Sequence, residues 1–351
     1  MAGVWSPYLI LFGLLLLLIF PYEKMSDNNR AKVAWVLLGV FILFFGLRGA
    51  VGDDYEHYRL MYDIQAVSLI RSMPVFALFM LLLKAVHIPF VGFIFVCSCL
   101  TNGLLFLSVK RLRLNLPLVL CIFLGMSGVV NEIDFTRNLI STLLFACSLG
   151  YLERGEAKKY FLLNGLGVLI HYASLLYLPF YFMARRQLSK HVFMGIIVAS
   201  MIAFSLRIPF LDFIPRLFDS DNMVAVHLYT YINTYTRAMT FTIAFVERLL
   251  TAFAVYLFYD QLTADVQNRI AVWGFLLFFI CYSLFSNYAI LGTRLGNLFV
   301  VSYWVLWPAI LRQIQNKRVR LASATAMYSY LAVRLVGLGS MPQWHYTTVF
   351  S

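Results

Sequence analysis

Charge is scarce in this sequence. Of its 351 residues only 13% are Asp, Glu, Lys or Arg, 62% are apolar, and the mean hydropathy is +0.80. That balance excludes a soluble globular domain, in which about a quarter of the residues are charged. Cysteine is scarce too. Cys97, Cys99, Cys121, Cys147 and Cys281 all sit inside apolar runs. Their spacing suits neither a disulfide framework nor a metal site, so they read as small buried hydrophobes. No Walker loop, HExxH, nucleophile elbow or dinucleotide fingerprint occurs, and ATP-driven transport and hydrolase chemistry lose support accordingly. No metal or other cofactor is expected. Acidic residues are outnumbered 16 to 28 by basic ones, but the basic residues fall in short clusters between apolar runs, as orientation signals of a membrane protein do. There is no basic face to grip nucleic acid, and no nucleic-acid partner is expected.

What the chain has instead is apolar length. Spanning helices are expected near 4–21, 33–47, 89–109, 115–131, 137–152, 191–208, 240–259, 269–287 and 294–311. The first lacks a basic leader and a small-residue cleavage site, so it reads as a retained helix and not a signal peptide. Segment 72–87 is short and carries Lys84, which suits a re-entrant or interfacial helix. Segment 160–183 is either one tilted span or a compressed hairpin. Segment 321–338, apolar with a lone Arg334, either lies on the inner surface or forms a further span. With no internal repeat, the expectation is one all-α polytopic integral membrane domain, 1–351, of about 10–12 transmembrane or re-entrant helices.

Orientation follows from the basic clusters. Placing Lys24, Arg30 and Lys32 inside puts Lys110–Arg113, Arg154–Lys159, Arg185–Lys190, Arg269 and Arg312–Arg320 inside as well, if 160–183 is a hairpin and 72–87 does not cross. The large external loops are then 48–72 and 209–239, the second carrying HLYTYINTYTR from His227 to Arg237.

The densest polar chemistry is GLRGAVGDDYEHYRLMYD, which holds Arg48 to Asp63. Charges placed at a bilayer edge are costly and mark a site by default. In this topology Arg48, Asp53, Asp54, Arg137 and Arg294 all lie at external helix ends, His171 at the hairpin tip, and Arg248 about two turns below the surface beside Glu247. Each has a plainer explanation. Arg48 and Arg294 reach to the interface as long cations do; Arg137 pairs with Glu132 or Asp134; Arg248 is neutralised on its helix. His171 is a satisfied core histidine, and the aspartates are solvated loop acids. Their convergence on one side favours a single arginine-lined external cavity for a phosphorylated or pyrophosphorylated ligand. Arg137 and Arg294 read as heading helices, where N-terminal amides help to hold an anion.

These segments also carry a resemblance. A first helix ending in Phe20-Pro21-Tyr22-Glu23, then a second running into GLRGAVGDDYEHY, resembles the EpsG-like branch of bacterial Wzy-type polysaccharide polymerases. TRNLIS (Thr136 to Ser141) resembles that group's arginine at a helix head, with Asn138 where glutamine is more usual. LIHYASLLYLP (Leu169 to Pro179) resembles its histidine segment, and TRLGNLFVVSYWVLWP (Thr293 to Pro308) its late arginine-headed helix. The resemblance implies a glycosyltransferase-C-like enzyme of the bacterial inner membrane, working on its periplasmic or outer face. It would transfer a growing glycan from undecaprenyl pyrophosphate to the non-reducing end of a lipid-linked repeat unit. Undecaprenyl-pyrophosphate-linked oligosaccharide, membrane lipids and a chain-length regulator protein are the implied partners. Arg137 and Arg294, with Arg48 and Arg248, would bind the pyrophosphate. Asp54, Tyr55 and Tyr58 would bind the acceptor sugar, and Asp53 or His171 would be the catalytic base. Asp53 is favoured, since a carboxylate is ionised at neutral pH while a histidine beside pyrophosphate tends to be protonated. The rival is a flippase or transporter of lipid-linked oligosaccharide; it would need access from both faces and often shows paired halves, which are not seen here. A second rival is a membrane acyltransferase acting on the same polymer; the lack of a clear paired His/Asp motif weakens it.

Overall fold

The computed structural model describes residues 6–207 and 238–351. The expected loop 209–239 lies, but for its last two residues, outside them. Among the described residues there is no strand, only one isolated bridge, between Arg48 and Thr348. The chain divides into two compact units, residues 1–181 with 316–351 and residues 182–315.

The first unit opens with α1 (Pro7–Lys24) and α2 (Asp27–Gly46). Pro7 starts α1, where its missing N–H costs nothing. Ser26 caps α2 by accepting from the Asn29 N–H, and Asp27 complements the helix dipole. After α2 come the short α3 (Tyr55–Leu60), a π turn at Met61–Gln65 and α4 (Pro74–Ala85). Twelve residues make about 18 Å of helix, too short for a bilayer core of about 30 Å. Then follow α5 (Phe90–Arg111), α6 (Leu116–Phe123), a π turn at Leu124–Gly128, α7 (Val129–Ile133) and α8 (Thr136–Glu153). Asn115 caps α6 through the Leu118 N–H.

Segment 160–183 is a compressed hairpin. Helix α9 (Ala157–Ile170) stops at His171, a 3₁₀ turn covers Tyr172–Leu176, and α10 (Tyr177–Ala184) returns. The return is shown by side chains that pair low numbers with high. The Tyr160 hydroxyl donates to the Tyr177 carbonyl at 2.5 Å, and Tyr181 packs on Tyr160 and donates to Gly155. Helix α8 runs beside the hairpin, where the Ser141 hydroxyl donates to the Gly167 carbonyl at 3.0 Å and Phe145 stacks on Tyr177 at 3.9 Å.

The second unit contains α11 (Lys190–Leu206), α12 (Ile243–Leu257), α13 (Tyr259–Ala264), α14 (Val266–Leu284), α15 (Ala289–Asn297) and α16 (Ser302–Gln313). The chain returns to the first unit in α17 (Lys317–Gly339), capped by Asn316 and long and apolar enough to span. In all, six described helices meet that test, and a seventh if α15 and α16 count as one bent span. This is a polytopic all-α membrane protein.

One expectation fails here. The segment 294–311 is not a straight helix headed by Arg294. Arg294 lies in the last turn of the nine-residue α15, and the chain bends by 69° into α16. N-terminal amides therefore stand at Arg137, the second residue of α8, and not at Arg294.

The hairpin is held by aromatic packing, with Phe145 2% exposed against Tyr177 and Phe180. Phe145→Ala should cost about 3–5 kcal/mol, read as a lower unfolding temperature in detergent micelles. An unchanged transition would contradict this packing.

Candidate functional site

In the first unit the flagged residues gather at one end of the helices. Helices α8 and α9 run antiparallel, so Arg137 at the start of one and His171 at the end of the other share that end. The stretch after α2 joins them there, because Asp134, just before α8, grips it. The Asp134 carboxylate accepts the backbone N–H of Asp53 and of Asp54, each at 3.2 Å. Gly52 makes this possible. Its φ is +94°, and a Cβ there would collide with the Asp134 carboxylate and the Ile133 side chain. Burial pushes Asp134 up to about 6, opposed by the two N–H donors from Asp54 and Asp53.

Arg48 is 7% exposed, an unusual place for a guanidinium. Nη1 donates to the Phe45 carbonyl at 2.7 Å and Nη2 to the Ile133 carbonyl at 3.3 Å, while buried Nε has no partner. Burial lowers its affinity for the proton, and Glu132 and Asp134 counter that. Tyr55 and Tyr58 wall a recess of about 10 Å³ beside it, roughly the space one water needs. Arg48 is thus enclosed, not reaching for the interface.

Arg137 is half-buried. Its guanidinium lies over the Tyr58 ring at 5.4 Å and donates to the Met73 sulfur, and its backbone N–H donates to the Tyr58 hydroxyl at 3.4 Å. It forms no ion pair with Glu132 or Asp134. Glu132 takes the Thr101 hydroxyl at 2.8 Å instead. Asp53 is exposed, and Asp54 and Tyr55 are half-buried at the start of α3. The His171 Nδ1 accepts the Ala173 N–H at 3.2 Å, which caps the turn at the hairpin tip. A neutral imidazole so engaged carries its proton on Nε2 and presents a donor there.

The second unit holds Arg248 and Arg294. Arg248 is 6% exposed and lies against the Tyr282 face at 3.7 Å and the Phe278 face at 5.0 Å, with Nε and Nη1 unpartnered. Its neighbour Glu247 accepts from the Thr251 hydroxyl at 2.9 Å and from Tyr303, and Trp307 donates to Thr251. Arg248 is held by π faces and not by a carboxylate. Arg48, Arg137 and Arg248 form no ion pair among the described residues.

Sequence reasoning missed Asp134 as an organiser. The signal was present in NEIDF, two acids in an apolar stretch, but only the fold shows that Asp134 faces backbone amides and not Arg137. A cleft of about 730 Å³ lies elsewhere, at the other end of α2 and α5 beside Arg30, Trp35, Lys110 and Arg113. Its nearest lining residue on α2, Leu38, stands about 15 Å along the helix from Arg48.

Comparison with known proteins finds relatives of the sequence. The family model described as "EpsG family" matches residues 32–346. Over 363 residues, 90% of this chain and 89% of the relative, the sequence is 24% identical to the "Amylovoran biosynthesis protein AmsC" of Erwinia amylovora. No solved structure matches.

The raised Asp134 sets a pH test. Its folded value, about 6 against an ordinary 3.8, favours the folded state most below about 3.8, and that contribution is lost as pH rises through about 6. From pH 4 to pH 7 the wild type should therefore lose about 2 kcal/mol relative to Asp134→Asn. Parallel unfolding-temperature profiles for the two proteins would refute this.

Proposed function

The chain belongs to the EpsG family, and on that premise we propose that it is a polysaccharide polymerase. It transfers a growing glycan from undecaprenyl pyrophosphate to the non-reducing end of a lipid-linked repeat unit at the periplasmic face of the inner membrane. A chain-length regulator is the further partner proposed.

The observation that carries this reading is that Arg48, Arg137 and Arg248, buried or half-buried, form no ion pair with a carboxylate among the described residues. A guanidinium in apolar surroundings costs several kcal/mol unless it is compensated, and Arg48 and Arg248 keep donors unpartnered in the interior. An anion supplied by the substrate answers that cost, and a pyrophosphate has the oxygen geometry for bidentate guanidinium binding. In the first unit Arg137 takes the pyrophosphate, aided by the amides at the start of α8, with Arg48 behind it. In the second unit Arg248 and Arg294 are the candidate phosphate ligands.

The reaction needs one proton acceptor. The acceptor hydroxyl gives its proton to Asp53 as its oxygen bonds to the anomeric carbon. The bond from that carbon to the pyrophosphate oxygen breaks, and undecaprenyl pyrophosphate leaves with the electron pair, its growing charge met by the arginines. Asp53 is exposed and stands on a backbone fixed by Asp134. His171 serves better as a donor to phosphate or sugar, because Nδ1 is already an acceptor for Ala173. Asp54, Tyr55 and Tyr58 line the acceptor side.

Purified protein given lipid-linked repeat units and no nucleotide sugar should produce longer glycans; their absence sinks the proposal, and unit translocation without lengthening would point to a flippase. Arg137→Lys keeps charge but loses the planar fork, so turnover should fall about a hundredfold, on the scale of removing one transition-state donor. Asp53→Asn should likewise lose turnover while still binding the lipid-linked unit. Near-normal turnover in Asp53→Asn with loss in His171→Gln would make the histidine the base.

A further inference from the structure

Residues 343–349 return across the first unit and lie against the stretch that carries Arg48. The Gly49 N–H donates to the Thr347 carbonyl at 2.9 Å, the Gly52 N–H to the Gln343 carbonyl at 2.8 Å, and the Val349 N–H to the Leu47 carbonyl at 3.0 Å. Arg48 itself pairs with Thr348 in the isolated bridge. Two of these bonds use amide donors of the turn whose next two amides are taken by Asp134. The 47–54 segment is thus gripped from one side by a carboxylate and from the other by a strap.

Tyr346 anchors the strap. Its ring stacks on Phe44 at 4.5 Å and 16°, meets Tyr8 edge-on at 5.9 Å, and its hydroxyl donates to the Phe44 carbonyl at 2.7 Å. Phe44 adjoins Phe45, whose carbonyl receives Arg48 Nη1 at 2.7 Å. The approach is close enough to require glycine at position 49, where a Cβ would come within 2.6 Å of the Thr347 hydroxyl and 2.9 Å of the Thr348 carbonyl. Isolated backbone bonds at a solvent edge are weak singly; three of them with an aromatic anchor fix one conformation of an otherwise irregular stretch.

We infer that Gln343, Tyr346, Thr347 and Val349 are positioning residues, which hold Arg48 and the Asp53 backbone in register for the transfer step; the inference rests on the polymerase reading above. They act through the backbone of residues 47–52 and the Phe44 ring, to which their bonds run. A displacement of about 1 Å at Arg48 or Asp53 matters because the charge must meet the leaving group and the base must reach one hydroxyl.

The test uses the full-length protein in lipid nanodiscs, with three variants. Tyr346→Ala removes the anchor, Gly49→Val drives the strap off without shortening the chain, and Tyr346→Phe keeps the ring and loses only the hydroxyl. Hydrogen exchange at the Gly49 and Gly52 amides should speed up at least about tenfold in the first two and stay near wild type in Tyr346→Phe. Turnover of lipid-linked units should fall about tenfold in the first two, with KM for the unit within about twofold, and recover in Tyr346→Phe. Unchanged exchange in both disruptive variants overturns the strap. Faster exchange with full turnover overturns its positioning role. A wild type that lengthens no glycan defeats the polymerase reading instead, and the exchange data still decide whether the strap holds the segment.

Discussion

A buried guanidinium must be answered from within the chain or by what the chain binds, and much of the first unit follows from that requirement at Arg48. The side chain is enclosed, and two of its nitrogens, Nη1 and Nη2, are met by carbonyls that helices have left over: Phe45 at the end of α2 and Ile133 at the end of α7. Both carbonyls lie in last turns, where backbone acceptors lack intrahelical partners and the dipole is negative. Glu132 and Asp134 supply the compensating charge from further off. Helix ends that would otherwise be a liability in an apolar layer thus become the cradle of a cation.

The second unit solves the same problem differently. Arg248 has aromatic faces where Arg48 has carbonyls, and its sequence neighbour Glu247 is occupied by Thr251 and Tyr303 on other sides. Adjacent residues on a helix point about 100° apart, so sequence adjacency does not make an ion pair. The two charges share a turn of helix without sharing a bond.

Much of the fold was legible because the bilayer imposes length and apolarity together, and a sequence cannot hide either. The spans α1, α2, α5, the α6–α7 run and α14 follow from that, as do the break at His171 and the short α4 announced by Lys84. The candidate site was legible as chemistry and not as geometry. Arg48, Asp53 and Arg137 stood out because charge is rare here, and the structure does bring their backbones to one end of the first unit. What the sequence withheld is what depends on three dimensions. Nothing local tells that Asp134 will prefer two amides to the arginine three residues on. The bend after Arg294 is invisible for a related reason: hydropathy continues across it unbroken, while the backbone does not.

The bond from Tyr346 to Phe44 closes a loop of 302 residues. Membrane helices enter the bilayer as they are made, N-terminal end first, at about 5–20 residues per second. The stretch holding Arg48 therefore reaches its final depth about 15–60 s before its strap has been translated. From the time Arg137 and His171 have been made until residues 343–349 follow, a nascent chain carries the charged groups of the first unit's candidate site without the strap that sets their register. The register of the stretch around Arg48 is thereby set late, by a strap that follows α17 in the chain.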